Sequence, residues 1–450
     1  MTRLWSVTRT IGGTVAALLF VTLHARTASA EEASASVAKA PEKRGTSAGE
    51  VLRWVPKVLG FPVYAVTEYG IHRPLSAVLD RADTRGWVTK IAELWTFGPE
   101  GRIGIVPSAR FDLGLRPSLG IYGFYDDFLT RKNALRLHAA TGGSDWLSLT
   151  VADRMRIAEG AQLSLRFDGS TLPDQLFYGI GARSLESHEA IYGATSFSGS
   201  ARFVLDPAPY LHVEAEAEAR SVGFDARPRC CGKTPIAVRA AVDGDALPAG
   251  FARGITVLGQ ALHMRLDSRP PRPDPQSGLM VEGELSHGID LRDPAVGRWV
   301  GYGVGVGGSA ALDAEGRTLL LTVTTRFVDP QGNSAVPFTE LISLGGDAEM
   351  PGFLPGRLRD RSSAVAALTY RYPIWRSVEG SAEIAVGNVF GAQLKDFSPK
   401  RMRFSFDAGI HTQGSPDHTF DLLVGAGTET FEDGAALNAL RLKIGTTRHF

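Results

Sequence analysis

The sequence predicts an all-β fold, a sixteen-stranded antiparallel transmembrane β-barrel with a short N-terminal helical segment. Three observations carry this. Apolar residues recur at a period of two in short runs bounded by turn residues, the pattern of strands with one lipid-facing and one lumen-facing side. The runs number about sixteen, the even count that single-chain bacterial barrels adopt. Short connections follow even-numbered runs, whereas the long ones, 169–188, 223–254, 290–299, 331–362 and 391–400, all follow odd-numbered runs. A barrel with tight periplasmic turns and long outer loops requires this alternation, and a soluble sandwich does not.

Composition by itself decides little. The chain is 44% hydrophobic and 21% charged, with 51 glycines and a formal net charge of zero, so nothing points to a nucleic-acid partner. At the N terminus, Arg3 and Arg9 precede an apolar run from Ile11 to Leu23 and an Ala28-Ser29-Ala30 site, which reads as a signal peptide over 1–30. That run is too short to span a bilayer comfortably as a helix. Residues 31–50 are small, charged and Pro-containing, and read as a flexible stretch. They include Gly45-Thr46-Ser47-Ala48-Gly49, a formal Gly-x-Ser-x-Gly, but no strand precedes it to hold the serine strained.

Over 51–100, aromatic and aliphatic residues mix with Arg and Lys, and Pro56, Pro62 and Pro74 divide any helix into short pieces. Two or three amphipathic helices are expected there, either at the periplasmic mouth or membrane interface with Trp54, Trp87 and Trp95 as anchors, or plugging or packed on the barrel without touching lipid.

The barrel is expected over 101–450, with strands at 102–114, 116–126, 132–141, 145–153, 161–168, 189–206, 210–222, 255–267, 276–289, 300–312, 317–330, 363–374, 379–390, 401–411, 417–428 and 436–450. In the seventh, His212, Glu214, Glu216, Glu218 and Arg220 share one face, and Leu211, Val213, Ala215, Ala217 and Ala219 the other. A barrel turns the first row into a watery lumen. Gly301, Gly303, Gly305 and Gly307 recur at period two, so the Gly-x-Gly-x-x-Gly within them is a strand face and not a dinucleotide loop. That trough is expected to face the lumen and to make room for an in-folded loop around Gly352. In the last run Leu440, Leu442 and Ile444 face one way and Arg441 and Lys443 the other.

The stretch PFTELISLGGDAEMPGFLPGRLRDRSSAVAALTYRYPI, 337–374, extends from beyond the eleventh run through the twelfth. Leu344-Gly345-Gly346, Gly352-Phe353, Gly356-Arg357, Arg359-Asp360-Arg361 and Tyr370-Arg371-Tyr372-Pro373 are the residues by which it resembles the BamA/TamA family of outer-membrane assembly barrels. By its own residues the stretch begins in a strand at 337, passes through a Gly- and Pro-punctuated loop carrying Arg357, Arg359, Asp360 and Arg361, and re-enters a strand at about Ser363. That is a hairpin with an oversized charged tip, and the resemblance implies that this loop folds back inside the barrel. A terminal strand ending in Phe450 likewise resembles the C-terminal signal of outer-membrane barrels. The implied function is insertion of proteins into the outer membrane, or their translocation across it, by opening a seam between first and last strands. The implied partners are outer-membrane lipids and lipopolysaccharide, unfolded outer-membrane or exported client proteins, and the insertion machinery that assembles the barrel itself. No cofactor and no catalytic residue is implied. The rivals are a passive pore or structural barrel, and third an outer-membrane lipid hydrolase.

The chain departs from the family pattern at three points. Residues 51–100 are too short and too poor in strand signal for the periplasmic POTRA repeats many relatives carry. Pro351 stands where the family has Arg before Gly-Phe, and Ala385 stands where Asp is usual in Glu383-Ile-Ala-Val-Gly-Asn-Val-Phe390. Both halves of the family's ion pair are absent together, and a contact from Arg357 or Arg359 to Glu383 is the expected replacement. The ten histidines are scattered and the two cysteines, Cys230 and Cys231, are adjacent; they could bridge each other, pair with another chain or stay free, and no metal set is visible.

Overall fold

A computed structural model describes residues 69, 72–86, 94–270, 277–292, 297–313, 316–412 and 418–448. The signal-peptide and flexible segments, Trp54, Trp87 and the terminal Phe450 lie outside the described residues.

Sixteen strands close into one antiparallel cylinder. They are β1 (Ile103–Asp112), β2 (Ser118–Asp126), β3 (Asn133–Gly143), β4 (Trp146–Ala158), β5 (Ala161–Phe177), β6 (Ala190–Ala208), β7 (Leu211–Asp225) and β8 (Ile255–Asp267). The second half comprises β9 (Gly278–Asp290), β10 (Arg298–Ala311), β11 (Thr318–Pro330), β12 (Ser362–Trp375), β13 (Val378–Phe390), β14 (Arg403–Thr412), β15 (His418–Thr428) and β16 (Leu437–Arg448). Each pairs with the next, and β16 returns to β1. Closure matters because hydrocarbon offers no hydrogen-bond partners to a free sheet edge.

The period-two rhythm sorts the faces as expected. Leu119, Ile121, Leu149, Phe197, Leu279 and Val304 are exposed on the outside, where lipid covers them. The row from Glu214 to Arg220 points inward, where Arg202 lies 3.4 Å from Glu214 and 3.5 Å from Glu216, and Arg220 reaches Glu340 of the loop 331–361 at 2.7 Å.

The sequence reading ends the fifth strand at 168, but β5 runs on to Phe177. Its register to β6 shifts between Leu172 and Gln175, around Pro173. A proline has no N–H for the ladder, and a bulge lets the strand pass it and resume.

Two helices are described, α1 (Arg73–Thr84) and α2 (Ile236–Asp243). Asp80 of α1 accepts a 2.9 Å hydrogen bond from the Trp375 indole at the end of β12. α2 lies in the 226–254 connection at the long-loop end, its Ile236 buried beside Tyr192, Phe224, Phe251 and Phe338. Those four rings pack at centroid distances of 5.0–6.0 Å and fill the outer mouth. Cys230 and Cys231 are bridged to each other in the same connection.

The expected strand opening at 337 is instead a 3-10 turn, Phe338–Glu340, followed by a small hairpin in which Ile342–Leu344 pairs with Leu358–Asp360. Pro337 heads the turn, and its ring disfavours a ladder position there.

Candidate functional site: the lumen loop and the strand seam

The loop 331–361 is folded into the lumen and built on special backbone geometry. Gly345, Gly346 and Gly356 have φ of +93°, +69° and +78°, a region that L side chains avoid. The Gly346 N–H donates to the Phe353 carbonyl at 2.8 Å, closing the hairpin tip. A side chain at Gly356 would put its Cβ 2.7 Å from the Leu176 carbonyl oxygen on β5, so the loop backbone touches the wall there.

Gly352 and Phe353 dock on the opposite side. The Gly352 N–H donates to Ser405 Oγ on β14 at 2.9 Å, and Phe353 is fully buried with its ring over Gly427 of β15. A Cβ added at Gly425 would lie 2.8 Å from the Gly352 Cα. Gly425 and Gly427 therefore form the cradle that receives the loop.

This corrects the expectation placed on β10. Its glycines do face the lumen, but the space above Gly303 and Gly305 is filled by Glu284 and Glu282 of β9, whose side chains lie 2.6 Å and 2.7 Å from where Cβ atoms would be. The reason is local: a glutamate registered opposite a glycine folds across it, since those strands are already paired.

The expected link from Arg357 or Arg359 to Glu383 is likewise corrected. Arg357 is fully buried and donates to Glu186 Oε2 at 2.7 Å and to the Ser184 carbonyl and hydroxyl, each at 2.9 Å. Its guanidinium also lies 5.3 Å from the Tyr178 ring centre. Burial pushes the Glu186 carboxyl up, and Arg357 works against that. Arg359 donates to the Phe338 carbonyl at 3.3 Å and stacks on its ring. Asp360 accepts from the Arg361 N–H at 2.7 Å; burial raises its carboxyl and this bond opposes the rise. Glu383 stays on β13, accepting from Thr369 at 2.7 Å. The hairpin turns both arginines toward the long-loop end, away from Glu383.

What replaces the absent family pair has two parts. Where Asp would sit, buried Ala385 joins Met350, Leu344, Phe353 and Val365 in an apolar cluster. The charge comes from the wall. Arg441 of β16, fully buried, donates to Asp112 Oδ2 of β1 at 2.8 Å, to the Gly346 carbonyl, and to the Pro351 carbonyl at 3.1 Å. The cation sits on the barrel, with one acceptor, Asp112, on the wall and two, the Gly346 and Pro351 carbonyls, on the loop.

Asp347 of the loop extends the cluster. It is 3.3 Å from Arg441, 2.8 Å from Lys443 and 3.5 Å from Arg110 of β1. Partial burial works to raise its carboxyl, but Arg110, Lys443 and Arg441 together outweigh that and hold it well below the ordinary carboxylate range. Glu349 anchors the other side of the tip on Arg326 of β11.

The cluster straddles the weakest ladder of the cylinder. β16 and β1 register through Lys443↔Asp112, Ile444↔Phe111 and Gly445↔Arg110, with one more hydrogen bond from the Leu113 N–H to the Leu442 carbonyl. Sequence reasoning put Arg441 and Lys443 on the inner face but could not see what lies across the lumen. Asp112, Asp347, Gly425 and Gly427 went unremarked, because only strand register and closure bring them together.

No protein-family model matches the chain, and no curated protein does. Among solved structures, BamA from Haemophilus ducreyi lacking POTRA domains 1–3 superposes with a TM-score of 0.52 at 14% identity, over 77% of this chain and 70% of that one. CdiB from Escherichia coli gives a TM-score of 0.50 at 11% identity, over 78% of this chain and 64% of that one, under two thirds of its length. Identity this low speaks for the fold alone. The chain has the fold of the BamA and CdiB barrels, a closed sixteen-stranded β-barrel of the outer-membrane type.

Proposed function

We propose that the protein passes client polypeptide into or across the outer membrane by opening between β1 and β16. The observation that carries this is the three-residue seam, beside a neighbouring ladder that runs from Ile103↔Tyr125 to Arg110↔Ser118. Among the described residues, Ile105–Ser108 of β1 and Leu437–Leu440 of β16 register no strand partner on the seam side. Such an edge can template a client strand through main-chain hydrogen bonds, with alternate side chains sorted between lipid and lumen. Clients on this reading are unfolded outer-membrane or exported proteins, and the surroundings are outer-membrane lipid and lipopolysaccharide. The likeness to BamA and CdiB barrels supports it at the level of fold. The activity requires neither cofactor nor bond chemistry.

The test is a seam disulfide. The registered pair Phe111→Cys/Ile444→Cys, reconstituted in liposomes, is given a urea-denatured outer-membrane barrel as client. Wild-type protein should speed client folding over empty liposomes, the oxidised pair should not, and reductant should restore the rate in the pair while leaving the single-cysteine controls unchanged. Equal rates with and without wild-type protein, accompanied by steady single-channel conductance, would replace this reading with the passive pore.

A further inference from the structure

At the short-turn end of the lumen, three side chains on neighbouring strands form a hydrogen-bonded row. Ser381 Oγ of β13 lies 2.9 Å from His411 Nε2 of β14, and His411 Nδ1 lies 3.0 Å from Asp421 Oδ1 of β15. A nucleophile, a base in contact with it and a carboxylate orienting that base constitute the hydrolase triad, which is recognised by geometry and not by chain order. With the ring proton on Nδ1 held by Asp421, Nε2 is free to accept the Ser381 hydroxyl proton.

The surroundings suit the chemistry. Ser381 registers opposite Gly409, where a Cβ would lie 2.9 Å from the Leu422 carbonyl oxygen and 3.3 Å from His411 Nε2, so glycine leaves room for both the paired strand and the imidazole. On the other flank Ser381 registers opposite Arg371 of β12, whose guanidinium lies 3.9 Å from Glu379 of β13. The second Asp421 oxygen accepts from Lys443 at 3.3 Å, fixing the carboxylate. The His411 side chain is 37% exposed, so the row is accessible from lumen water.

We propose that Ser381, His411 and Asp421 are a serine-hydrolase centre at the periplasmic mouth, acting on small water-borne carboxylic esters. The lumen-facing position sets the substrate class, since bilayer lipid lies on the other side of the wall. Ser381 Oγ attacks the ester carbonyl carbon as His411 Nε2 takes its proton, and the carbonyl oxygen takes up the negative charge. The carbon–alkoxy bond then breaks and the alcohol leaves with the proton from His411. Water attacks the acyl-serine, giving a proton to His411; the acyl–Oγ bond breaks, the proton returns to Ser381, and the acid is released. No electrons are exchanged with an outside partner. Asp421 is a positioning residue.

The experiment uses the full chain in detergent, with a fluorophosphonate probe and p-nitrophenyl acetate. Expected results are probe label on Ser381, a burst of one p-nitrophenolate per chain, and loss of turnover by about 10³-fold or more in Ser381→Ala and His411→Ala. Asp421→Asn should lower kcat with little change in KM. Because a polar lumen residue can matter for folding, every variant is checked for the heat-shifted gel migration of a closed barrel. Ser381→Cys, which keeps the shape, should exchange fluorophosphonate for iodoacetamide labelling. An unlabelled wild type, or hydrolysis unchanged in folded Ser381→Ala, overturns the proposal and leaves the row a structural polar ladder. Client folding is read separately, so either result leaves the seam mechanism standing or falling on its own test.

Discussion

The wall around β5, β6 and β7 and the seam between β16 and β1 are the same kind of structure held in opposite ways. β5 and β6 are registered from Ala161↔Leu205 to Phe177↔Ala190, with a single bulge. There the backbone does the holding, and side chains only decorate the two faces. At the seam the backbone supplies three registered pairs, and a buried guanidinium, two carboxylates and a lysine bind the two strand edges and the lumen loop together. At about 0.5–1.5 kcal/mol net for each hydrogen bond, three residue pairs make a modest ladder. The difference teaches that the seam is closed mainly by side-chain electrostatics, which can be undone without unravelling the cylinder.

The largest effect should come from removing the central cation. Arg441→Ala leaves the buried carboxylate of Asp112, which is 2% exposed, with only the longer 3.7 Å contact to Arg110, and breaking a buried pair costs up to about 3–5 kcal/mol. The expected result is a lowered thermal transition for the gel-shifted barrel, with much of the loss recovered in Arg441→Met/Asp112→Leu, where no charge is left alone. An unshifted transition in Arg441→Ala would show that the ladder, after all, holds the seam as it holds the rest of the wall.

A smaller effect is expected from filling the cradle. Gly427→Val forces side-chain atoms into the Phe353 ring, and overpacking of this kind costs about 1–3 kcal/mol. The loop should be displaced while β5, β6 and β7 stay protected in hydrogen exchange, and a cysteine at Leu344, fully buried in the docked loop, should become reactive to a soluble maleimide only in that background.

The smallest is a pH effect. Asp347 in the folded protein lies below its unfolded value of about 3.9, so its contribution is complete above that value and declines as pH falls through the ordinary carboxylate range toward the depressed one. Accessibility of the Leu344 cysteine should be the same at pH 7 and pH 5 and should rise only in stronger acid. A rise already between pH 7 and 5 would move the control of docking to another group.

Much of this fold was legible because the information is local. Alternation at period two is written residue by residue, so the inward row at Glu214 to Arg220, the number of strands and the place of the long loop could all be read directly. The end of β5 could not, because Pro173 stops a strand in any local reading and only pairing with β6 shows the bulge that carries it past. The site was half legible. Gly352-Phe353 marked the loop tip, and Arg441 was placed on the inner face, yet the meeting of Arg441 with Gly346, Pro351 and Asp112 depends on closure of the cylinder. Glu383 was assigned an arginine on parity alone, when hairpin direction decides where Arg357 and Arg359 point. The Ser381, His411 and Asp421 row is invisible for the same reason, since its members acquire a common face only once three strands are in register.

The anchor for the loop is carried by β16, the strand that closes the cylinder. Any assembly intermediate that contains β1 to β15 but lacks β16 therefore has its internal segment without Arg441 or Lys443 to hold it, and its N-terminal edge unsealed. Arrival of the final hairpin settles both at once, which makes completion of the circle and seating of the segment a single late event.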